Sequence, residues 1–211
     1  MLRQSVKDLY FMANRFLVMP NTWRASFKYR TPAHPEGHYL HVGCGEKYLD
    51  GFINIDGNLA RRVDCWLDLR NALPFADQST HFIYCAHTLE HLYVHDAIKL
   101  LGEFHRILKP DGIARVAVPS FEHALKIAAG HPAEDPQRRF DDPYGQAIDY
   151  LFCDGQHRYG YSFSVLDKFA RQVGFTRIGH YSAEHGLAAK QYGRVTVEDV
   201  LAGSLVVELQ R

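Results

Sequence analysis

No charge of either sign prevails in this chain of 211 residues: Lys and Arg together number 24, and so do Asp and Glu. A balanced surface sets up no long-range field toward a polyanion, so nucleic acid is not an expected partner. No basic domain and no base-flipping motif is visible either. Cysteine is scarce, at positions 44, 65, 85 and 153, with no CxxC pair among them. That excludes a disulfide framework and a cysteine zinc site, and points to a reducing compartment, the cytoplasm. The N-terminal apolar residues Leu2, Val6, Leu9, Tyr10, Ala13, Phe16 and Leu17 are interrupted by Lys7, Asp8 and Arg15. They are expected to form one face of a helix that stops before Pro20, and neither a signal h-region nor a membrane span. Docking on the domain's own core and lying on a membrane surface both remain open for this helix.

What is present is concentrated in 39–56. Tyr39-Leu-His-Val42 is a short, largely apolar run that ends at Gly43 and Gly45, the pattern of a buried parallel strand feeding a tight turn. Glycine there lets backbone approach a ligand closely. A second apolar run, Phe52 to Ile55, ends on Asp56. At the carboxyl end of a parallel strand an acid can accept two hydrogen bonds from ribose hydroxyls. Strands are then expected at Val63–Leu69, His81–Ala86 and Ile113–Val118, with a helical stripe through Ala97, Leu101, Phe104 and Leu108 that ends at the Lys109-Pro-Asp-Gly112 turn. Strands alternating with helix and short turns predict an α/β doubly wound sheet.

Three stretches stand apart. Residues 20–37 hold three prolines among Trp23, Arg24, Phe27, Lys28, Tyr29 and Arg30, and read as an extended connector or an anion-binding strip. Residues 130–161 hold three prolines, four glycines and six aromatics. A connection so long is a functional cover or disordered, and the aromatics argue for the cover. Ser164-x-x-Asp167 has capping-box spacing and opens a helix ended by Gly174. Strands at Phe175–Tyr181 and Ser204–Leu209, with a helical turn at Val197–Leu201 between them, complete the expected order.

In that order the motifs resemble the class I S-adenosylmethionine-dependent methyltransferases. His41-Val-Gly-Cys-Gly45 resembles the family's first motif, and Ile53-Asn-Ile-Asp56 its ribose-binding acid. Asp68 with Leu73-Pro74-Phe75 resembles the adenine-binding stretch. His87-Thr-Leu-Glu-His91 sits where many members read leucine, glutamate, histidine, leucine. Phe104 to Gly112, followed by a strand and Pro119, resembles the third motif. The resemblance implies a Rossmann-like seven-stranded sheet, mostly parallel with an antiparallel last strand. It divides the chain into an N-terminal helix and connector (1–37) and a methyltransferase domain (38–211) with a lid-like insertion (130–161). The implied cofactor is S-adenosyl-L-methionine, its methionine part passed by Gly43, Cys44 and Gly45, its ribose by Asp56, and its adenine by Asp68 and the backbone of Leu69. The implied acceptor is a small-molecule or saccharide hydroxyl or amine. The alternative is a non-catalytic protein of the same fold, and self-association is left open.

Two departures matter. Only six residues separate Gly45 from Phe52, room for about one helical turn at 1.5 Å per residue. The subset of the family with this shortened pattern is often linked with saccharide biosynthesis. His41 stands where an acid is common. His87-Thr-Leu-Glu-His91 also fits the H-x-x-E-H pattern of inverted zinc peptidases, but such a site needs a third ligand and a helix on both sides of the motif, and here the motif follows a strand closely, so no metal is expected. There, Glu90 and His91 are read as pinning the loop to neighbouring backbone. A sugar hydroxyl needs a base near neutral pKa; the candidates are His87, then His91 and His157.

Overall fold

The computed structural model describes residues 17–32, 35–58, 62–131, 139–181 and 203–211, together with Leu9 and Ala13. Strands β1 (His38–Val42), β2 (Ile53–Asp56), β3 (Cys65–Trp66), β4 (Thr80–Ala86), β5 (Leu108–Pro119), β6 (Arg177–His180) and β7 (Ser204–Gln210) form one sheet in the order β3-β2-β1-β4-β5-β7-β6. All pairs are parallel except those of β7, which runs antiparallel to both β5 and β6. The expected doubly wound seven-stranded sheet with its antiparallel last strand is therefore what the chain adopts. Strand order reverses between β1 and β4, and a crevice opens at the carboxyl ends of strands at such a point.

Alternation along the strands gives the sheet two unlike faces. Leu40, Val42, Ile55, Ile83, Cys85, Val116 and Leu209 point one way, into a core shared with helices α2 (Val94–Ile107) and α5 (Phe163–Gln172). Each fully buried Leu, Ile or Phe there contributes about 1.5–3 kcal/mol. On the other face Asn54, His41, Tyr84, Arg115 and Glu208 stand in register as one row across five strands, none more than 3% exposed. Arg115 Nη2 meets Glu208 Oε1 at 2.9 Å, and the guanidinium lies 3.7 Å from the centre of the Tyr181 ring.

Several local expectations are corrected. Residues Met19–Lys28 form helix α1, not an extended connector, with Pro20 in its first turn. Proline is admitted there because the N–H it lacks has no intrahelical acceptor. Strand β3 is shorter than expected, because the Asp64 carboxylate, and not a strand carbonyl, accepts from Asn54 N at 2.8 Å. The Lys109-Pro-Asp-Gly112 turn is a bulge at the start of β5, where Thr80 and Phe82 of β4 pair with Leu108 and Ile113. The helix Phe163–Gln172 is capped by Ser162, whose hydroxyl accepts from Val165 N at 3.3 Å; Ser164 lies inside the helix. The stretch after β5 holds helices α3 (Phe121–Ala128) and α4 (Pro143–Phe152), capped by Ser120 and Asp142. Most of the N-terminal apolar face and the Val197–Leu201 turn lie outside the described residues.

Candidate cofactor and transfer site

The turn after β1 is made of backbone. Gly43 N and Cys44 N both donate to Ile55 O, at 2.8 and 3.0 Å, folding the turn over the end of β2. Gly43 has φ +69°, and a Cβ there would land on the Thr88 side chain. Gly45 has φ +54° with nothing within 4 Å of where its Cβ would stand. Its N–H donates to Asp56 Oδ2 at 2.8 Å, while Asn58 N donates to Oδ1 at 2.7 Å. The Asp56 carboxylate thus faces the glycine turn. A carboxylate offers about four acceptor sites, so two remain for a ribose diol. Cys44 is buried, and burial followed by the nearby Asp56 charge pushes its thiol up to about 12. Burial thus disfavours the thiolate, the nucleophilic form of cysteine.

A side-chain network occupies the place of the absent helix. Asn54 Nδ2 donates to the carbonyls of Leu49 (2.9 Å) and Phe52 (3.1 Å), and its Oδ1 accepts from Leu49 N at 2.9 Å. His41 Nδ1 meets the same Oδ1 at 3.1 Å and its ring lies 5.2 Å from that of Tyr84. Asp64 joins through Tyr48 Oη at 2.9 Å. Burial works to raise the Asp64 pKa, but the bonds from Asn54 and Tyr48 prevail and lower it. Asn54 was not singled out in the sequence; its position just before an expected ribose acid, inside an apolar strand, was the available signal.

Asp68 lies two residues past β3 with its carboxylate held by Arg70, whose Nε and Nη2 donate at 2.9 and 2.8 Å. Leu69 follows, half-buried against the core. The two acids named for the cofactor therefore stand at the ends of neighbouring strands.

The turn after β4 is made of side chains. His87 has φ +51°, a strained value for a residue with a Cβ, and its N–H donates to Ala117 O at 2.9 Å. Its Nδ1 meets Glu90 Oε1 at 3.2 Å and its Nε2 meets Ser204 Oγ at 3.1 Å. Glu90 is not turned toward backbone as expected: its side chain is buried against His87, because a carboxylate taken from water needs a donor. Thr88 fills the space left by Gly43 and donates to Ala86 O at 3.1 Å. Neither Thr88 nor Ser204 carried any mark in the sequence.

His91 and His157 are brought together from distant segments, ring centres 4.9 Å apart. His91 Nδ1 meets Gln156 O at 3.1 Å, as its expected backbone anchor, and His157 Nδ1 meets Leu151 O at 2.7 Å. Burial is the main cause lowering the His157 pKa. Helices α3 and α4 rise from the end of β5 and are tied back by Tyr150, whose hydroxyl accepts from Ser120 N and donates to Gly203 O. Tyr144, Ile148 and Phe152 leave an exposed apolar stripe along α4. No helix among the described residues is long and apolar enough to cross a membrane.

No curated protein sequence matches the chain. Among solved structures, an S-adenosylmethionine-dependent methyltransferase from Mesorhizobium loti is similar over 90% of this chain and 98% of that one, with 16% identity and a TM-score of 0.51. A SAM-dependent methyltransferase from Archaeoglobus fulgidus is similar over 93% and 94%, with 14% identity and a TM-score of 0.53. The plantazolicin methyltransferase BpumL, solved in complex with SAH, is similar over 99% and 90%, with 14% identity and a TM-score of 0.53. These likenesses are of fold. The sequence itself matches the family described as "Methyltransferase domain" over residues 56–116, from Asp56 into β5. Residues 56–116 thus match the methyltransferase-domain family by sequence, and the sheet that contains them shares its fold with solved S-adenosylmethionine-dependent methyltransferases.

Proposed function

We propose that this chain transfers a methyl group from S-adenosyl-L-methionine to a hydroxyl or amine of a small molecule or saccharide, in the cytoplasm. The observation that carries the reading is the pairing of Gly45 N with the Asp56 carboxylate beside open space, on the crevice between β1 and β4. When bound, the cofactor supplies a methyl on a sulfonium, a leaving group already activated, so alignment provides much of the rate. Gly43, Cys44 and Gly45 pass its methionine part, Asp56 binds its ribose, and Asp68 with Leu69 borders its adenine.

His87 is the proposed base. Glu90 can only accept when ionised, so it fixes the proton on Nδ1 and leaves a lone pair on Nε2. The Ser204 hydroxyl sits 3.1 Å from that nitrogen and stands where an acceptor hydroxyl would give up its proton. His91 and His157, whose Nδ1 atoms are anchored on carbonyls, are the secondary candidates. The insertion 130–161 is proposed as the acceptor cover, its aromatic rings suited to the apolar face of a sugar. The short β1–β2 connection agrees with a saccharide acceptor.

Calorimetric titration with S-adenosylhomocysteine tests this. Wild type should bind, and Asp56→Ala should lose about 2–4 kcal/mol of affinity with two charge-assisted bonds. Equal binding by the variant would retire the cofactor assignment. No binding by wild type would favour a non-catalytic protein of this fold.

A further inference from the structure

We propose that Glu90, His91 and His157 form a binding site for a divalent transition cation of the zinc class. One ligand atom from each lies within 4.8 Å of the others. The site stands on the side chains alone and does not depend on the methyltransferase reading.

Two imidazoles and one buried carboxylate come together here. His91 Nδ1 and His157 Nδ1 face the carbonyls of Gln156 and Leu151, which can only accept, so both nitrogens carry their protons. In its neutral form each imidazole then has its lone pair on Nε2. This is how metal-binding histidines are fixed in tautomer and orientation by their other nitrogen. The third acceptor is Glu90 Oε2, in a residue 1% exposed and with no hydrogen-bond partner among the described residues. A buried carboxylate oxygen beside two imidazoles is an acceptor that a metal ion would satisfy.

The ligand set fits a metal. Two imidazoles and one carboxylate are a known zinc set, with the fourth position open. Ligand atoms in such a tetrahedron lie roughly 3.3 Å apart, given metal–ligand bonds of about 2.0–2.2 Å. The two segments are already locked: Glu90 O accepts from Arg158 N at 2.6 Å, and Tyr161 Oη donates to Leu89 O at 3.3 Å. The Arg158 guanidinium lies over the Tyr93 ring. His87 is not a ligand, since both its nitrogens are engaged by Glu90 and Ser204. The site therefore differs from a peptidase reading of residues 87–91, and its third ligand comes from 66 residues further along the chain.

The full chain, stripped with a chelator, should take up one zinc ion per molecule by calorimetry, and cobalt should give the visible absorption of a four-coordinate site. His91→Ala and His157→Ala should each weaken zinc binding at least tenfold, while Cys153→Ser leaves it unchanged. Zinc should raise the melting temperature of wild type but not of His91→Ala. Because His91 is exposed, this variant should melt like zinc-free wild type, which keeps the test decisive if His157→Ala folds poorly. No zinc uptake would mean that the three residues do not form a metal site, and uptake undiminished by both histidine variants would place the metal elsewhere. Either result overturns the proposal.

Discussion

The turns after β1 and β4 touch, yet they are built from opposite materials. Residues 43–45 use backbone N–H groups, positive φ angles and absent side chains. Residues 87–91 use a hydroxyl, a carboxylate and two imidazoles. Gly43 and Thr88 form the seam, one lacking a side chain where the other supplies it. The first turn is suited to lie against a ligand without reacting, and the second to hold or move protons. A methyl transfer divides in the same way, into holding a donor and preparing an acceptor.

The largest expected effect breaks the second turn alone. His87→Ala should lower kcat about 10²–10⁴-fold, the usual contribution of a positioned base, while affinity for S-adenosylhomocysteine changes little. Single-turnover kinetics beside calorimetry would check it, and a parallel loss of both would show that the turns do not divide the work. Gly43→Ala attacks the seam. A left-handed φ costs about 1–2 kcal/mol for a residue with a Cβ, and overlap with Thr88 adds about 1–3 kcal/mol. Denaturant unfolding should show the sum, and Thr88→Ala should recover the overlap part. Gly45→Ala should cost only the φ strain, about 1–2 kcal/mol of stability, because its Cβ meets open space. Affinity for S-adenosylhomocysteine should nonetheless fall, since the methyl takes ligand volume. Equal stability losses at both glycines would contradict the packing described for Thr88.

The smallest effect is remote from both turns and separates fold from chemistry. Burial is the leading cause lowering the pKa values of His81 and His105, with Arg211 adding to it at His105. As pH falls below about 6.5, the ordinary histidine value, the unfolded chain takes up protons that the folded chain refuses. Stability contributed by these groups is present above that pH and is lost as pH falls toward their folded values. The melting temperature should therefore drop between pH 7.5 and 5.5, and His105→Gln should flatten the drop. Rates assigned to His87 are best compared above that range.

The strands and the first turn were legible in the sequence, because each rests on local pattern, whereas the seven-stranded sheet was implied only by the family resemblance. Apolar runs of four to seven residues ended by glycine or an acid can become little else than buried parallel strands. Asp56 could be found for the same reason, since its position follows from where β2 must end. Helices α1, α3 and α4 were missed where proline and polar residues looked like breakers. Pro20 and Pro143 instead occupy first turns, which only the chain's direction beyond them reveals.

What the sequence alone determined about this protein is therefore the strands and the places where they stop. What only the tertiary structure decided is which side chains meet. The row Asn54, His41, Tyr84, Arg115 and Glu208 joins residues up to 167 positions apart, and it exists because strand register places them opposite one another. Ser204 reaches His87, and His157 reaches His91 and Glu90, in the same way. Periodicity along a chain reports which face a residue takes, whereas contact across strands and loops depends on register and closure, and neither leaves a mark on the neighbouring letters.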